Sequence, residues 1–408
     1  MNNQLEGKDV SLWVATTDKT TYPQLGDDTT TYDAIVVGGG ITGVVSAYLM
    51  QQQGLHIALV EKSNIVEWTT GGTTAKLSSQ HYLTYDYLIK RHGKSVAAAY
   101  AKANQDGIDD IEQLSNDLGI DCDFERRDAY VFSQHGDKTD NIKAEVDAAK
   151  QLGLPASFET TVDIPFPVAA AIKFTDQAQF HPRKFLLGLA ERFVANGGVI
   201  YEQTEVTDIQ PGNPHTLITN HGNMKARSIL QASGEPFWHG GIFDDHMWMK
   251  MSYGLAVTLK DNADYPSSMY ITIDTPMRTI RTAPHGDGSV LIFGGESHEY
   301  DEATYDENLH YKNLIDDVKQ KFDVDKILYR WLAGDYMPYD RMPYIGPHPD
   351  NESIYVVTGY RAWGLAWAMS AARAITGYVT GKPVDWVAPF SLDRLQSPVL
   401  DEDKQHRF

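Results

Sequence analysis

Apolar residues along this chain follow two habits: short unbroken runs bounded by glycine, and longer stretches with a three-to-four-residue spacing. Residues 33–37 and 57–60 are short apolar runs of the kind a sheet covered on both faces buries, and the stretch between them has helical length. The helical spacing recurs over residues 83–118, 139–152 and 184–195; the last begins after His181-Pro182 and ends at Gly197-Gly198. Strands are predicted at 124–133, 169–174, 199–201, 206–209 and 229–231. From Met249 to Gly295 the pattern is rich in strands, with turns at 261–264 and 285–288. The last third gives a strand at 354–358 and a helix from Gly364 to about Val379. Residues 1–31 are polar and read as an extended arm, anchored through Leu12-Trp13-Val14. Residues 69–76 hold too much turn chemistry for regular structure.

The first strand, helix and second strand carry a motif. Gly38, Gly40 and Gly43 fit G-x-G-x-x-G, and Glu61 ends the second strand about 20 residues on, where a ribose-binding acid belongs. Gly38 permits the tight turn, Gly40 lets the backbone approach a pyrophosphate, and Gly43 lets helix and strand pack closely. The helix start at Ile41 and Thr42 offers free N–H groups and the positive end of its dipole to phosphates. Glu61, followed by Lys62, accepts from both ribose hydroxyls and repels a 2′-phosphate. The unit predicts dinucleotide binding.

Composition narrows the rest. A chain of 408 residues exceeds one ordinary core, so more than one domain is expected. With 55 acidic against 35 basic side chains, the formal charge of −20 disfavours nucleic acid and anionic membrane surfaces as partners. The single cysteine, Cys122, rules out a disulfide within one chain, a thiolate zinc site and a cysteine-held iron–sulfur cluster, and no metal is predicted. Residues 1–7 lack a signal-peptide pattern and no apolar run approaches 18 residues, so a cytoplasmic protein without a membrane span is expected.

Glycine turns follow strands at three distant places, which suggests a long ligand lying across the fold. In order, the motifs resemble the D-amino-acid oxidase family of FAD-dependent oxidoreductases, which includes glycine oxidase and sarcosine oxidase. The resemblance spans roughly residues 32–380. It rests on the opening unit, the loop holding Gly72, Thr73, Thr74, Ala75 and Lys76, and the Pro182, Gly197-Gly198, Val206 pattern. It continues through Ala232-Ser233-Gly234, Asp340-x-x-Pro343-x-Ile345-Gly346, and Thr358-Gly359-Tyr360-x-x-Trp363-Gly364-Leu365. It implies non-covalent FAD: Val206 would meet adenine through backbone groups, and Gly72 stands where related chains carry a histidine able to attach flavin.

The implied fold class is α/β: a discontinuous Rossmann-like FAD-binding domain (32–123, 175–240, 335–408) with an inserted antiparallel, β-rich α+β substrate domain (124–174, 241–334), preceded by the arm (1–31). The arm, the Thr-Thr-Ala-Lys loop, Gly295-Glu296-Ser297-His298 and Asp335-Tyr336 are similar to a bacterial branch that usually carries a C-terminal Rieske domain. This chain ends at Phe408, where that domain is expected to be absent.

The implied reaction is oxidation of a C–N bond in a small amine or amino acid by hydride transfer to flavin N5, giving an imine that water hydrolyses. The acceptor is oxygen or a separate electron carrier. Two alternatives stay open: a dehydrogenase serving a separate protein acceptor, and a flavin-bound regulatory protein without turnover. The oligomeric state is not predicted. Lys76 reads either as a charge at the flavin edge or as a solvated loop lysine. Asp335 stands where the family's amino-acid oxidases place a carboxylate-binding arginine, so it either faces a cationic amine or plays a structural part. Arg278 and Arg281 would point to opposite faces of a strand, and Arg281 is the candidate for the site, against the alternative of a surface or salt-bridged arginine. Trp363 is the expected aromatic wall of the site, beside Tyr360 and Arg361. Tyr253 and His298 are weaker candidates, and His81 is expected to pack.

Overall fold

A computed structural model describes residues 5–261, 263–302, 306–400 and 404. Residues 1–4 of the arm, Asn262 of the 261–264 turn and the final residue Phe408 lie outside them. Among the described residues the strands form two sheets, one of eight strands and one of ten.

The eight-stranded sheet contains the parallel core expected from the short apolar runs. Thr31–Val37 lies between Ile57–Val60 and Gly222–Gln231, Val199–Tyr201 extends one side, and Asn351–Thr358 extends the other, all in parallel. Tyr344–His348 closes that edge antiparallel. The central strands have no polar face because both sides are covered: helices pack on Ala34, Val36, Ile57 and Leu59, while Ile35, Val37, Ala58 and Val60 cluster with Val206, Ile209 and Leu217 of neighbouring antiparallel strands. The helix Ile41–Gln52 is buried along most of its length and packs against Pro182–Ala195 and Gly364–Val379. The ten-stranded sheet is largely antiparallel, with Met247–Leu259 paired to both Gly288–Glu299 and Val324–Pro338. The expected α/β architecture, a Rossmann-like sheet beside an antiparallel one, is the one observed. No helix among the described residues is long and apolar enough to cross a membrane.

Several local expectations need correction. The 83–118 helix is two helices, Tyr85–His92 and Lys94–Leu118, broken at Gly93, whose φ of 87° ends the first. The first lacks a cap of its own. Glu145, from the helix Thr139–Gln151, supplies one by accepting from the backbone N–H groups of Thr84, Tyr85 and Asp86. The helix Glu307–Lys321 had no predicted counterpart.

The arm is not simply extended. Lys8–Asp9 adds a parallel strand to the edge of the ten-stranded sheet, and Leu12–Ala15 forms one helical turn with Leu12 and Trp13 buried. The glycine loop is more ordered than its composition suggests: Trp68–Gly71 is a helical turn and Lys76–Leu77 pairs with Ala170–Gln179.

Arm and loop are bound together by two buried charges. Arg183 donates to the carbonyls of Ile65 and Val66 at 3.0 and 3.1 Å, and to Thr17 and Asp18 of the arm at 2.7 and 3.0 Å. Glu202 accepts from Tyr22 N–H at 3.1 Å, Asn64 at 3.0 Å and Ile65 N–H at 2.8 Å, and also from the Thr20 hydroxyl. Both side chains are buried, so each contact replaces water that neither residue has.

The turn after the first strand depends on absent side chains. A Cβ on Gly43 would stand 1.8 Å from the Gly38 carbonyl oxygen, and one on Gly38 would stand 2.5 Å from the Ala232 carbonyl oxygen. Gly43→Ala is therefore expected to cost at least about 3 kcal/mol, the upper end of overpacking penalties, because the obstructing atom is backbone. Urea unfolding measures this, and an unchanged midpoint contradicts it.

Candidate functional site

The C-terminal ends of the parallel strands open into a cavity of about 900 Å³ that runs on between the two sheets. Its first end is built by the glycine turn. Gly38, Gly39, Gly40, Ile41 and Thr42 line it, with Glu61, Lys62 and Val206 alongside. The Glu61 carboxylate accepts from Gly39 N–H at 2.7 Å and Ser63 N–H at 2.8 Å, which holds it beneath the turn. Trp68 lies at the rim, 69% exposed, with Lys62 over its ring at 5.7 Å.

The middle is walled by Gly72, Thr73 and Thr74 on one side and Ala232, Ser233 and Gly234 on the other. Trp13 and Trp331 pin the loop through its carbonyls: their indole N–H groups donate to Thr73 and Gly72 at 2.7 Å each. Left-handed residues cluster around this wall, namely Val66 (φ 56°), Trp68 (φ 48°), Ala75 (φ 57°), Arg361 (φ 55°) and Ala362 (φ 67°). For Val66, β-branched, this conformation is strained, and the Arg183 contact to its carbonyl helps to hold it.

The far end is polar and deep. Gly359, Trp363, Gly364 and Leu365 line it, together with Lys76, Lys250, Tyr253, Asp335 and Tyr360. Trp363 is 6% exposed and stacks on His81 at 4.5 Å, so His81 packs as expected. The Trp363 Nε1–H has no partner among the described residues. Tyr360 accepts from the Thr42 hydroxyl at 3.1 Å, linking the two ends of the cavity. Tyr253 Oη lies 3.2 Å from His298 Nε2, but neither His298 nor Arg361 lines the cavity.

Lys76 is not a solvated loop lysine. Its Nζ donates to Thr74 Oγ1 at 3.3 Å and to the Thr279 hydroxyl. Burial, then the Arg281 and Lys250 cations, push its pKa down to about 7. Burial raises the pKa of the half-buried Asp335 carboxyl against the opposing pull of Lys250.

Besides His298 and Arg361, three more of the candidates read from sequence do not line the cavity. Gly43 lies beneath the turn it permits, and Ala75 is fully buried behind the loop. The expectation that Arg281 faces the site is corrected: it is 2% exposed, packed against Trp13 with its guanidinium 5.2 Å from the ring centre. Its partner in the sequence argument, Arg278, is ion-paired to Glu296 and Asp317. Lys250 was missed. Its signal was a lone lysine inside Met247-Trp248-Met249-Lys250-Met251, a run too apolar to leave a charge there without reason.

These residues fit a dinucleotide-length cofactor. Neither N-cap residue, Gly40 or Trp363, caps its helix with a side chain; the Thr70 hydroxyl accepts from Ile41 N–H at 3.1 Å, and the other first-turn N–H groups of the two helices are left for a ligand. The Trp363 Nε1–H is unpartnered among the described residues but sealed off from the cavity.

Comparison with known proteins agrees. The model of the DAO family, FAD dependent oxidoreductase, matches residues 33–377. A Bacillus subtilis (strain 168) protein named as the putative Rieske 2Fe-2S iron-sulfur protein YhfW is 32% identical over 399 residues, covering 97% of this chain and 78% of its own. Gamma-glutamylputrescine oxidoreductase of Escherichia coli (strain K12) is 25% identical over 368 residues, covering 87% of this chain and 85% of its own. The crystal structure of glycine oxidase from Geobacillus kaustophilus superposes with a TM-score of 0.76 at 18% identity, covering 89% of this chain and 99% of that one.

The depressed Lys76 pKa has a consequence for stability. Below about pH 7 the ammonium is charged in both folded and unfolded states, and its burial penalty is fully present. Between about 7 and the ordinary value of 10.5 the unfolded chain holds more protons, so stability rises with pH. Urea unfolding of cofactor-free protein at pH 6.5 and 9.5 is expected to show this gain in the wild type and to lose it in Lys76→Met. Equal pH dependence in the two contradicts the assignment.

Proposed function

This chain belongs to the DAO family of FAD-dependent oxidoreductases, and from that premise we propose that it oxidises a C–N bond of a small amine or amino acid. The observation that supports this most is the single cavity running from the Glu61 glycine turn to the buried charges at Lys76, Lys250 and Asp335. It provides a cofactor cradle at one end and an enclosed polar chamber at the other.

Bound there, FAD supplies the redox chemistry: it accepts a hydride from a carbon bonded to nitrogen, leaving an imine that water hydrolyses. The protein's share is placement and charge. Gly38, Gly40, Ile41 and Thr42 would hold the pyrophosphate, Glu61 the ribose and Val206 the adenine. Gly72, Thr73, Thr74, Ala232, Ser233 and Gly234 would flank the middle. The helix start at Gly364-Leu365 and the Lys76 side chain would face the flavin, favouring negative charge on it. Trp363 would wall the substrate chamber. Gamma-glutamylputrescine oxidoreductase and glycine oxidase, by their names, act on C–N compounds, which favours that substrate class for this chain as well.

A second reading concerns the electron acceptor. The relative at 32% identity is named as an iron–sulfur protein, whereas the one cysteine here, Cys122, is buried and its thiol pKa is raised by burial. This favours a separate electron carrier over a cluster held in this chain. Slow reoxidation of reduced flavin by air supports that reading, and reoxidation within the turnover time supports an oxidase.

Two experiments test the main proposal. Anaerobic mixing with a panel of amines and amino acids is expected to bleach the flavin with at least one member, and no bleaching by any would sink it. The cofactor is expected to be non-covalent, since no Cys, His or Tyr stands in the 72–76 loop. Acid precipitation should then leave the yellow colour in the supernatant, and a yellow pellet would refute it.

A further inference from the structure

Two oppositely charged side chains, Lys250 and Asp335, face the deep end of the cavity, each within the other's field yet with no ion pair between them. Lys250 is 4% exposed, lies in the buried strand Met247–Leu259, and lines the cavity. Its ammonium makes no hydrogen bond or ion pair with any described residue; its nearest aromatic contact is Tyr82, 6.0 Å from Nζ to the ring centre. Asp335 lies directly across the antiparallel ladder from it, in the strand Val324–Pro338, and lines the same cavity.

Directly opposed residues project from the same face of a sheet and normally meet. These two nevertheless form no ion pair with each other, and Asp335 hydrogen-bonds to no described residue. A nearly buried ammonium with no hydrogen-bonded counter-charge is costly, and a half-buried carboxylate left without a donor adds to that cost. Mutual proximity with separate, unfilled ends suits a ligand carrying one charge for each.

We propose that Lys250 and Asp335 together recognise a zwitterionic α-amino acid, Lys250 taking its carboxylate and Asp335 its ammonium group. This rests on the reading of the cavity as an amine-oxidising site and narrows its substrate class from amines in general to amino acids. It accounts for Asp335 standing where related amino-acid oxidases are expected to carry an arginine. The cation is present, one strand over, and the aspartate is its complement rather than a gap. Simple amines satisfy Asp335 and leave Lys250 bare; simple acids do the reverse. A ligand bearing both charges leaves neither.

The test is binding to the FAD-loaded protein, read by perturbation of the flavin absorbance or by calorimetry, without turnover. Matched triplets serve as probes: each α-amino acid of a panel, its decarboxylated amine and its deaminated acid. At least one amino acid is expected to bind at least about tenfold more tightly than both of its partners, the scale of a charge-assisted contact. Lys250→Met should weaken the amino acid and the acid at least about tenfold and leave the amine unchanged, and Asp335→Asn should weaken the amino acid and the amine and spare the acid. Lys250→Arg, which keeps the charge, should retain most of the affinity and guards against a mere folding defect. Equal binding across every triplet overturns the proposal. So does a Lys250→Met protein that keeps amino-acid affinity while its unliganded flavin spectrum shifts, which would place the lysine on the cofactor. An amino acid that binds in this pattern without bleaching the flavin leaves the recognition standing and removes the oxidation reading. Bleaching by amines with no triplet pattern does the opposite.

Discussion

The site depends on how closely two backbones approach at Gly38. The Gly38 carbonyl sits where a Cβ on residue 43 would be, and Ala232 sits where a Cβ on residue 38 would be. This brings the ends of Thr31–Val37 and Gly222–Gln231 within reach of one ligand, with the start of Ile41–Gln52 above them. The remaining walls are then held against this turn. Arg183 and Glu202 bind the loop after Glu61 to the arm, and Trp13 and Trp331 bind the loop after Gly71 to the arm and the second sheet. Left-handed backbone at Val66 and Ala75 persists because those contacts outweigh its strain.

What could be read in the sequence follows from the range of each signal. The parallel strands, the glycine turn, Glu61 and the helix at Gly364 are local patterns, and the structure places them together around the cavity. The break at Gly93 is also local, yet the periodicity runs through it, because a single left-handed residue changes the helix direction without changing which residues are apolar. Arm, loop and Arg281 were harder for another reason. Strand alternation correctly separates the faces of Arg278 and Arg281, but it carries no information about what covers each face. One face meets Glu296 and Asp317, and the other meets Trp13, brought there from far along the chain. Arg281 therefore acts on the cavity from behind, as a charge that helps to depress Lys76.

Lys250 was missed for a related reason. A lysine in an apolar run is unusual, but its significance lies in its cross-strand partner, 85 positions away, and pairing over that distance leaves no local trace.

The two sheets divide the work along a physical line. The parallel sheet ends in backbone N–H groups and one carboxylate, which suit a cofactor's phosphates and ribose. The antiparallel sheet contributes charged side chains from strand interiors, where position is set by register. Met247–Leu259 pairs with Val324–Pro338 along its whole length, with the register shifting between Ala256 and Val257 and between Thr258 and Leu259, toward the far end of the pair. A slip of one residue would turn Lys250 or Asp335 to the opposite face and replace Lys250 with a methionine, or Asp335 with Gly334 or Tyr336. The long flanking ladder of hydrogen bonds and large side chains is what makes such a slip costly. The charges at the deep end are thereby fixed as firmly as the glycine turn at the other.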